Sequence, residues 1–308
     1  MAKANDLPVR LAAFDWLASQ VALHGDVLPW SILAEGFTFE GRRVPLVSQQ
    51  GIFKPAVLPQ IPLSIRTTHE GRYDDSFDLS GLLRYAYRGT DVQHRDNVGL
   101  REAMAGKVPL VYFHAVVPAK YLAAWPVFVV GDNPRALRFT VALDDARHAS
   151  AALLQGAHAV GDPAAEDARR TYITRTLRQR LHQRGFRERV LQAYREHCAF
   201  CRLRHQELLD AAHIIGDLET DGEPIVSNGL ALCKLHHAAY DTDFLGVRPD
   251  YVIEVRRDLL EEEDGPMLLH GLKGMQGRPL LVPGRRDWKP DPARLEIRWE
   301  RFRSLGQR

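Results

Sequence analysis

Residues 198–241 read CAFCRLRHQELLDAAHIIGDLETDGEPIVSNGLALCKLHHAAYD, and this stretch decides how the chain is understood. It holds all three cysteines of the 308-residue protein and four of its thirteen histidines. Two ligand sets overlap in it. Cys198 and Cys201 form a CxxC, and Cys233 and His236 form a CxxH, with 31 residues between the pairs. A pair with two residues between its members places both side chains on one side of a tight turn. Two such pairs make the four-ligand pattern of a structural zinc ion. A redox CxxC would need no second Cys/His pair, so the spacing favours metal. The loop carries few large apolar side chains, which leads us to expect the ion to stand in for a core there.

The second set runs between the first. LLDAAHII has strand character and ends near His213. Asn228 follows fifteen residues later, in SNGL, and His237 nine after that. Asp241 lies four residues beyond His237, so on a helix the two share a face. An imidazole and a carboxylate so placed can hold a divalent cation, while a second imidazole deprotonates water. An amide such as Asn228 can fix the loop and orient that base. Any one of these residues alone would be unremarkable; their combination inside a Cys/His-stapled loop is informative.

With those residues in view, stretch 198–245 resembles the HNH (ββα-metal) endonucleases with a zinc-stapled core, of the McrA-like modification-dependent group. The matching text is CxxC, AAHI, SNGLALC, HH and YD. The resemblance implies that His213 is the general base, that Asn228 positions it, and that His237 binds catalytic Mg2+ or another divalent ion such as Mn2+, Co2+ or Ni2+. Asp241 falls where some of these enzymes place a further ligand. One departure stands out. Many relatives carry Asp or His immediately before the base, where this chain has Ala212. Asp210, two residues earlier in the strand, is the candidate substitute.

Composition sets the frame. Apolar content of 45% and charged content of 26% suit an ordinary globular protein. No long apolar run suggests a membrane span, and the first twenty residues lack the apolar centre of a secretory signal, so we expect a cytoplasmic location and no membrane partner. The net charge of +2 is uninformative, but its distribution is not. Residues 169–189 carry eight arginines and one acid, Glu188. That is either a solvated helix face or a contact for the phosphate backbone.

The first half reads as a compact, sheet-rich domain. A helix is expected around Phe14 to Leu23, ending at Gly25, and a hairpin around Glu40-Gly41. PLSIRT, LLRYAYRG, PLVYFHAVVP, WPVFVVGD and RALRFTVAL read as strands, with a helix over 97–105. Residues 71–113 resemble the SRA (YDG) domain through Gly71-x-Tyr73-Asp74-Asp75, Asp78, the Tyr-x-Tyr-Arg-Gly run at 85–89, Asn97 and Leu100. SRA domains are PUA-like curved barrels that flip 5-methylcytosine or 5-hydroxymethylcytosine out of the duplex. The resemblance implies stacking faces from Tyr73, Tyr85 and Tyr87, base-edge acceptors from Asp75 or Asp78, and a contact from Arg88. Ser76 and Ala86 stand where the family has a pocket aspartate and threonine, which leaves the acid that is used open.

The expected fold class is therefore α+β. A curved SRA/PUA-like β-barrel domain spans 1–155, a linker 156–170, and an HNH nuclease domain with structural zinc and flanking helices 171–308. Two helices hinged at Gly185 should lead into the CxxC, and a tail with strands and Trp288 should pack on the nuclease. The expected partner is double-stranded DNA with modified cytosine, cut by a homodimer. Two competitors remain: a non-catalytic zinc DNA-binding regulator, and an HNH nuclease targeted by unmodified sequence, a partner protein or another modification.

Overall fold

The structure is a computed structural model describing residues 6–67, 82–144, 163–217, 219–263 and 265–305. It divides into two compact units, 1–181 and 182–308. Among the described residues, no helix is long and apolar enough to cross a membrane.

The first unit opens with helix α1 (Leu7–His24), whose Val9, Ala13, Phe14 and Leu17 fall at helical spacing and are buried. Gly25 ends it at φ +81°, its N–H bonding to the Val21 carbonyl. Arg10 on this helix is fully buried, and it donates to the carbonyls of Pro62, Pro109 and Ile61. Strand β1 (Val27–Pro29) and a short helix α2 (Trp30–Glu35) follow. The expected hairpin is present. Strands β2 (Phe37–Phe39) and β3 (Arg42–Val44) pair through Phe39 and Arg42, and Glu40 and Gly41 both take positive φ in the turn.

Strands β4 (Ile52–Phe53), β5 (Ser64–Arg66), β6 (Leu83–Ala86), β7 (Leu110–Val117), β8 (Lys120–Asn133) and β9 (Arg138–Leu143), with β1, form one seven-stranded sheet. Among the described residues, only β5 and β7 pair in parallel. WPVFVVGD is not a separate strand but the second half of β8. Irregularities at Leu110/Tyr112, Ala115/Val117 and Val129/Gly131 interrupt the ladders, and such bulges bend strands and increase twist. The sheet curls into a half-barrel. Both its faces are covered. On β7, Val111 and Phe113 join the cluster around α1, while Leu110 and Tyr112 join the one that includes Leu100 of helix α3 (Arg95–Ala105). That is why the sequence of β7 is an almost unbroken apolar run.

Helix α4 (Pro163–Ala193) is one continuous element of 31 residues. It corrects two expectations: residues 163–170 are helix rather than linker, and no hinge occurs at the buried Gly185. The boundary between the two units falls inside this helix.

In the second unit, β10 (Leu209–His213) and β11 (Gly229–Cys233) form an antiparallel pair, and helix α5 (Lys234–Asp241) follows directly. The result is a ββα unit. Strands β12 (Leu245–Val247) and β13 (Ile253–Val255) and the short helix α6 (Arg257–Glu261) extend it. The tail is helical where strands were expected: α7 spans Pro292–Leu305 and buries Leu295, Arg298 and Phe302 at i, i+3 and i+7. Its Arg298 donates to the Tyr240 carbonyl and, with Arg301, pairs with buried Asp243. The stapled loop also differs from expectation. Leu209, Ile214, Ile215, Leu230 and Leu232 join the same core as Cys198 and Cys233. A metal there therefore reinforces a core instead of replacing one.

A methyl at Gly246 would lie 2.7–2.9 Å from the Phe302 ring. Gly246→Ala is therefore expected to loosen α7 and to cost about 1–3 kcal/mol of stability, as overpacking does, measured by urea unfolding.

Candidate functional site

The first cluster is built by the chain turn at 198–201 and by the junction of β11 and α5. The Sγ atoms of Cys198, Cys201 and Cys233 and a ring nitrogen of His236 lie within 4.8 Å of one another. His236 Nδ1 is 3.5 Å from Cys198 Sγ and 3.2 Å from Cys233 Sγ. Ligands on a tetrahedral zinc, with bonds of 2.0–2.3 Å, stand about 3.5–3.8 Å apart, so the donor set fits such an ion. Burial works against the charged form of His236, but the Cys198 and Cys233 sulfurs raise its pKa to about 10. The Cys233 thiol is pushed down by Cys198 and Cys201. The Cys201 thiol is pushed up by the same contacts with Cys198 and Cys233. His236 Nε2 lies 2.7 Å from the Gly271 carbonyl, to which it can donate, so that with an ion bound the Nδ1 lone pair would be the one facing the sulfurs. Gly271 was invisible in the sequence because it acts through its backbone carbonyl, 35 residues from His236.

The second cluster sits on the other side of α5. His237 lies between two carboxylates: Nε2 is 3.2 Å from Asp241 Oδ2, and Nδ1 is 3.8 Å from Asp210 Oδ2. The hydrogen bond to Asp241 is the main reason its pKa is raised, against burial. The two acids are not equivalent. Asp210 also meets Lys234 Nζ at 3.1 Å and Arg187 Nε at 3.5 Å. Burial alone would raise its pKa; Lys234 and the Ala211 N–H bring it below the usual range. Asp241 is exposed and has no cation of that kind beside it in the described structure.

His213 ends β10. Its ring stacks on Phe186 of α4, centroids 4.0 Å apart and planes 14° from parallel. Nε2 is buried and without a hydrogen-bond partner among the described residues. Desolvation lowers the pKa, opposed by Asp217 and Asp241, with His237 adding to the lowering. Helix α5, which carries His237 and Asp241, packs against β10, which His213 ends. Asn228 is fully buried and clamps the loop. Its Oδ1 accepts from the Ile215 N–H at 2.9 Å, and its Nδ2 donates to the carbonyls of Ile215 and Glu223. It touches the backbone just after His213, not the imidazole.

The base-reading residues fare differently. Tyr73, Asp75 and Asp78 lie outside the described residues. Tyr85 and Tyr87 need correction: alternation puts both on the buried face of the sheet edge, where they belong to the core. Tyr87 stacks on Phe139 with its hydroxyl on Asp132, and the Tyr85 hydroxyl donates to the Arg66 carbonyl. Neither ring offers an open face for a base. Arg88 pairs with Asp96, and its N–H bonds to the side chain of buried Asn97.

Residues 198–248 match the HNH endonuclease family. The chain thus carries an HNH nuclease domain, the class of a DNA endonuclease. Among solved structures it is similar to one described as "Modification dependent TagI restriction endonuclease", at 16% identity and a TM-score of 0.31, covering 79% of this chain and 82% of that one. At that score the likeness carries no argument. No curated protein matches.

Cys198→Ser is expected to abolish stoichiometric metal binding, read by elemental analysis of the purified chain. It is also expected to lower Tm by several degrees without eliminating folding, because the surrounding apolar core remains.

Proposed function

We propose that the chain is a modification-dependent restriction endonuclease that hydrolyses phosphodiester bonds in double-stranded DNA. The observation that carries the reading is the second cluster: the half-buried imidazole of His213 at the end of β10, beside the helix that carries the His237–Asp241 pair, in a segment that matches HNH endonucleases. In this reading His213 takes a proton from water, and the oxygen attacks phosphorus as the P–O3′ bond breaks. Neutral His213 is the competent form, and burial favours it. Asn228 holds the strand end that carries His213. His237 and Asp241 hold a divalent ion, with Mg2+, Mn2+, Co2+ and Ni2+ as candidates. The bound ion would supply charge stabilisation to the phosphate and the leaving oxygen. Asp210, already paired with Lys234 and Arg187, faces His237 Nδ1 at 3.8 Å as a nearby negative charge instead of adding a ligand. Zn2+ at Cys198, Cys201, Cys233 and His236 holds the helix that presents His237.

The first unit supplies targeting in this proposal. It rests on the SRA-like text at 71–113, with Tyr73 as a stacking face and Asp75 or Asp78 reading the cytosine edge of a flipped 5-methylcytosine or 5-hydroxymethylcytosine. Cleavage of both strands needs two active sites, which supports a homodimer. A cytoplasmic enzyme would meet invading DNA directly.

His213→Ala is expected to lose plasmid cleavage in Mg2+ or Mn2+ by at least about a hundredfold while keeping zinc and DNA affinity; a fully active variant would refute the assignment. The acid limb of the single-turnover rate should fall below pH 6.5, the ordinary imidazole value, because the lowered pKa keeps His213 unprotonated further into acid. Matched duplexes carrying unmodified, methylated or hydroxymethylated cytosine test the targeting. Tighter binding of a modified duplex is expected, and equal affinity for all three removes the modified-cytosine reading while leaving the nuclease standing.

A further inference from the structure

We propose that Phe186 is a positioning residue for the general base: its ring, lying flat on His213, fixes the plane of the imidazole, and Gly229 leaves the space for it. The inference rests on the reading of His213 as the base.

Three observations carry it. First, the contact is a close, nearly parallel stack, 4.0 Å between centroids and 14° between planes, and Phe186 is only 2% exposed. A ring that is itself locked by packing can lock its neighbour. Second, His213 Nε2 has no hydrogen-bond partner among the described residues. A catalytic base is commonly oriented by a third group that hydrogen-bonds to it. Here Asn228 holds the backbone at Ile214 and Ile215 but leaves the ring alone. The terminal torsion of histidine is broad and two-fold, so something must choose the plane, and the Phe186 face is the contact that does.

Third, Gly229 is directly opposite His213 in the β10–β11 ladder. Its backbone is ordinary extended strand, φ −132° and ψ 143°, which any residue adopts. Glycine is therefore not needed for conformation. It is needed for space: a Cβ there would lie 2.5 Å from Val190 Cγ2 and 2.9 and 3.0 Å from Phe186 Cζ and Cε2. A glycine inside a strand often marks such a close approach. Val190 is itself fully buried, so α4 has no slack to retreat. The SNG text thus encodes two devices side by side: an amide that clamps the backbone and a missing side chain that admits the ring.

The test uses the full-length protein with 13C-labelled histidine. In the wild type the His213 ring protons, identified by their disappearance in His213→Ala, should appear upfield of the remaining histidines through the ring current of Phe186. Phe186→Leu should abolish that shift. It should also lower the single-turnover cleavage rate about tenfold, part of what a general base contributes, with DNA Kd and zinc content unchanged. Gly229→Ala should lower the rate similarly. A wild-type His213 signal without the upfield shift overturns the proposal, whether or not the variants fold. So does Phe186→Leu cutting at the wild-type rate while His213→Ala is inactive, and so does a rate loss that comes with lost zinc or lost DNA binding. Full activity in His213→Ala instead refutes the base assignment itself.

Discussion

The rotation of one two-turn helix decides what the second unit can do. His236 and His237 are consecutive on α5, and consecutive helical residues point about 100° apart. His236 is pinned from both sides, its Nδ1 against the sulfurs of Cys198 and Cys233 and its Nε2 against the Gly271 carbonyl. With one imidazole fixed, the helix cannot turn about its axis, and His237 is directed at Asp241 and Asp210. The Cys/His cluster is thus coupled to the second cluster through a single peptide unit. The other end of the helix is held independently, by Arg298 on the Tyr240 carbonyl and by the Asp243 pairs with the tail helix. Helix α7, far along the chain and without a ligand of its own, helps set where His237 points.

The hairpin provides the complementary constraint. In β10–β11 the register pairs Leu209 with Cys233 and His213 with Gly229, so one ladder carries a sulfur donor at one end and the imidazole at the other. Beyond His213 the ladder would fray. Asn228 prevents this: its own carbonyl accepts from Ile214, and its side chain satisfies both the N–H and the carbonyl of Ile215. Backbone groups buried without partners cost about 1–3 kcal/mol each, which is why an amide, able to donate and accept at once, suits this position.

Much of this was legible because it is local. A two-residue turn at Glu40-Gly41, the apolar run along 110–117 and ligand pairs three residues apart are written in neighbouring residues. What was not legible depends on partners far away in sequence. Tyr85 and Tyr87 look equally suited to a core or a base pocket until Phe139 and Asp132 are seen against Tyr87. Gly185 reads as a helix breaker, since glycine inside a helix costs about 1 kcal/mol; the buried Phe186 and Val190 that follow hold the helix together. RLEIRWERFRSL has a strand-like start, but the burial of Leu295, Arg298 and Phe302 follows the helical period. Phe186 itself lies 27 positions from His213, inside an arginine-rich run that draws attention to charge.

The alanine before His213 follows from the same packing. Ala212 is completely buried within the core of the unit, among side chains that supply no cation. An acid there would need an ion or a positive partner to offset its desolvation. Asp210 takes the place of an acid on this strand, but at the exposed end, where Lys234 and Arg187 can reach it. Those two cations make Asp210 stable without metal and, by the same token, a poorer competitor for one. On the proposed reading, the anionic character of the catalytic ion's protein shell then comes from Asp241 alone.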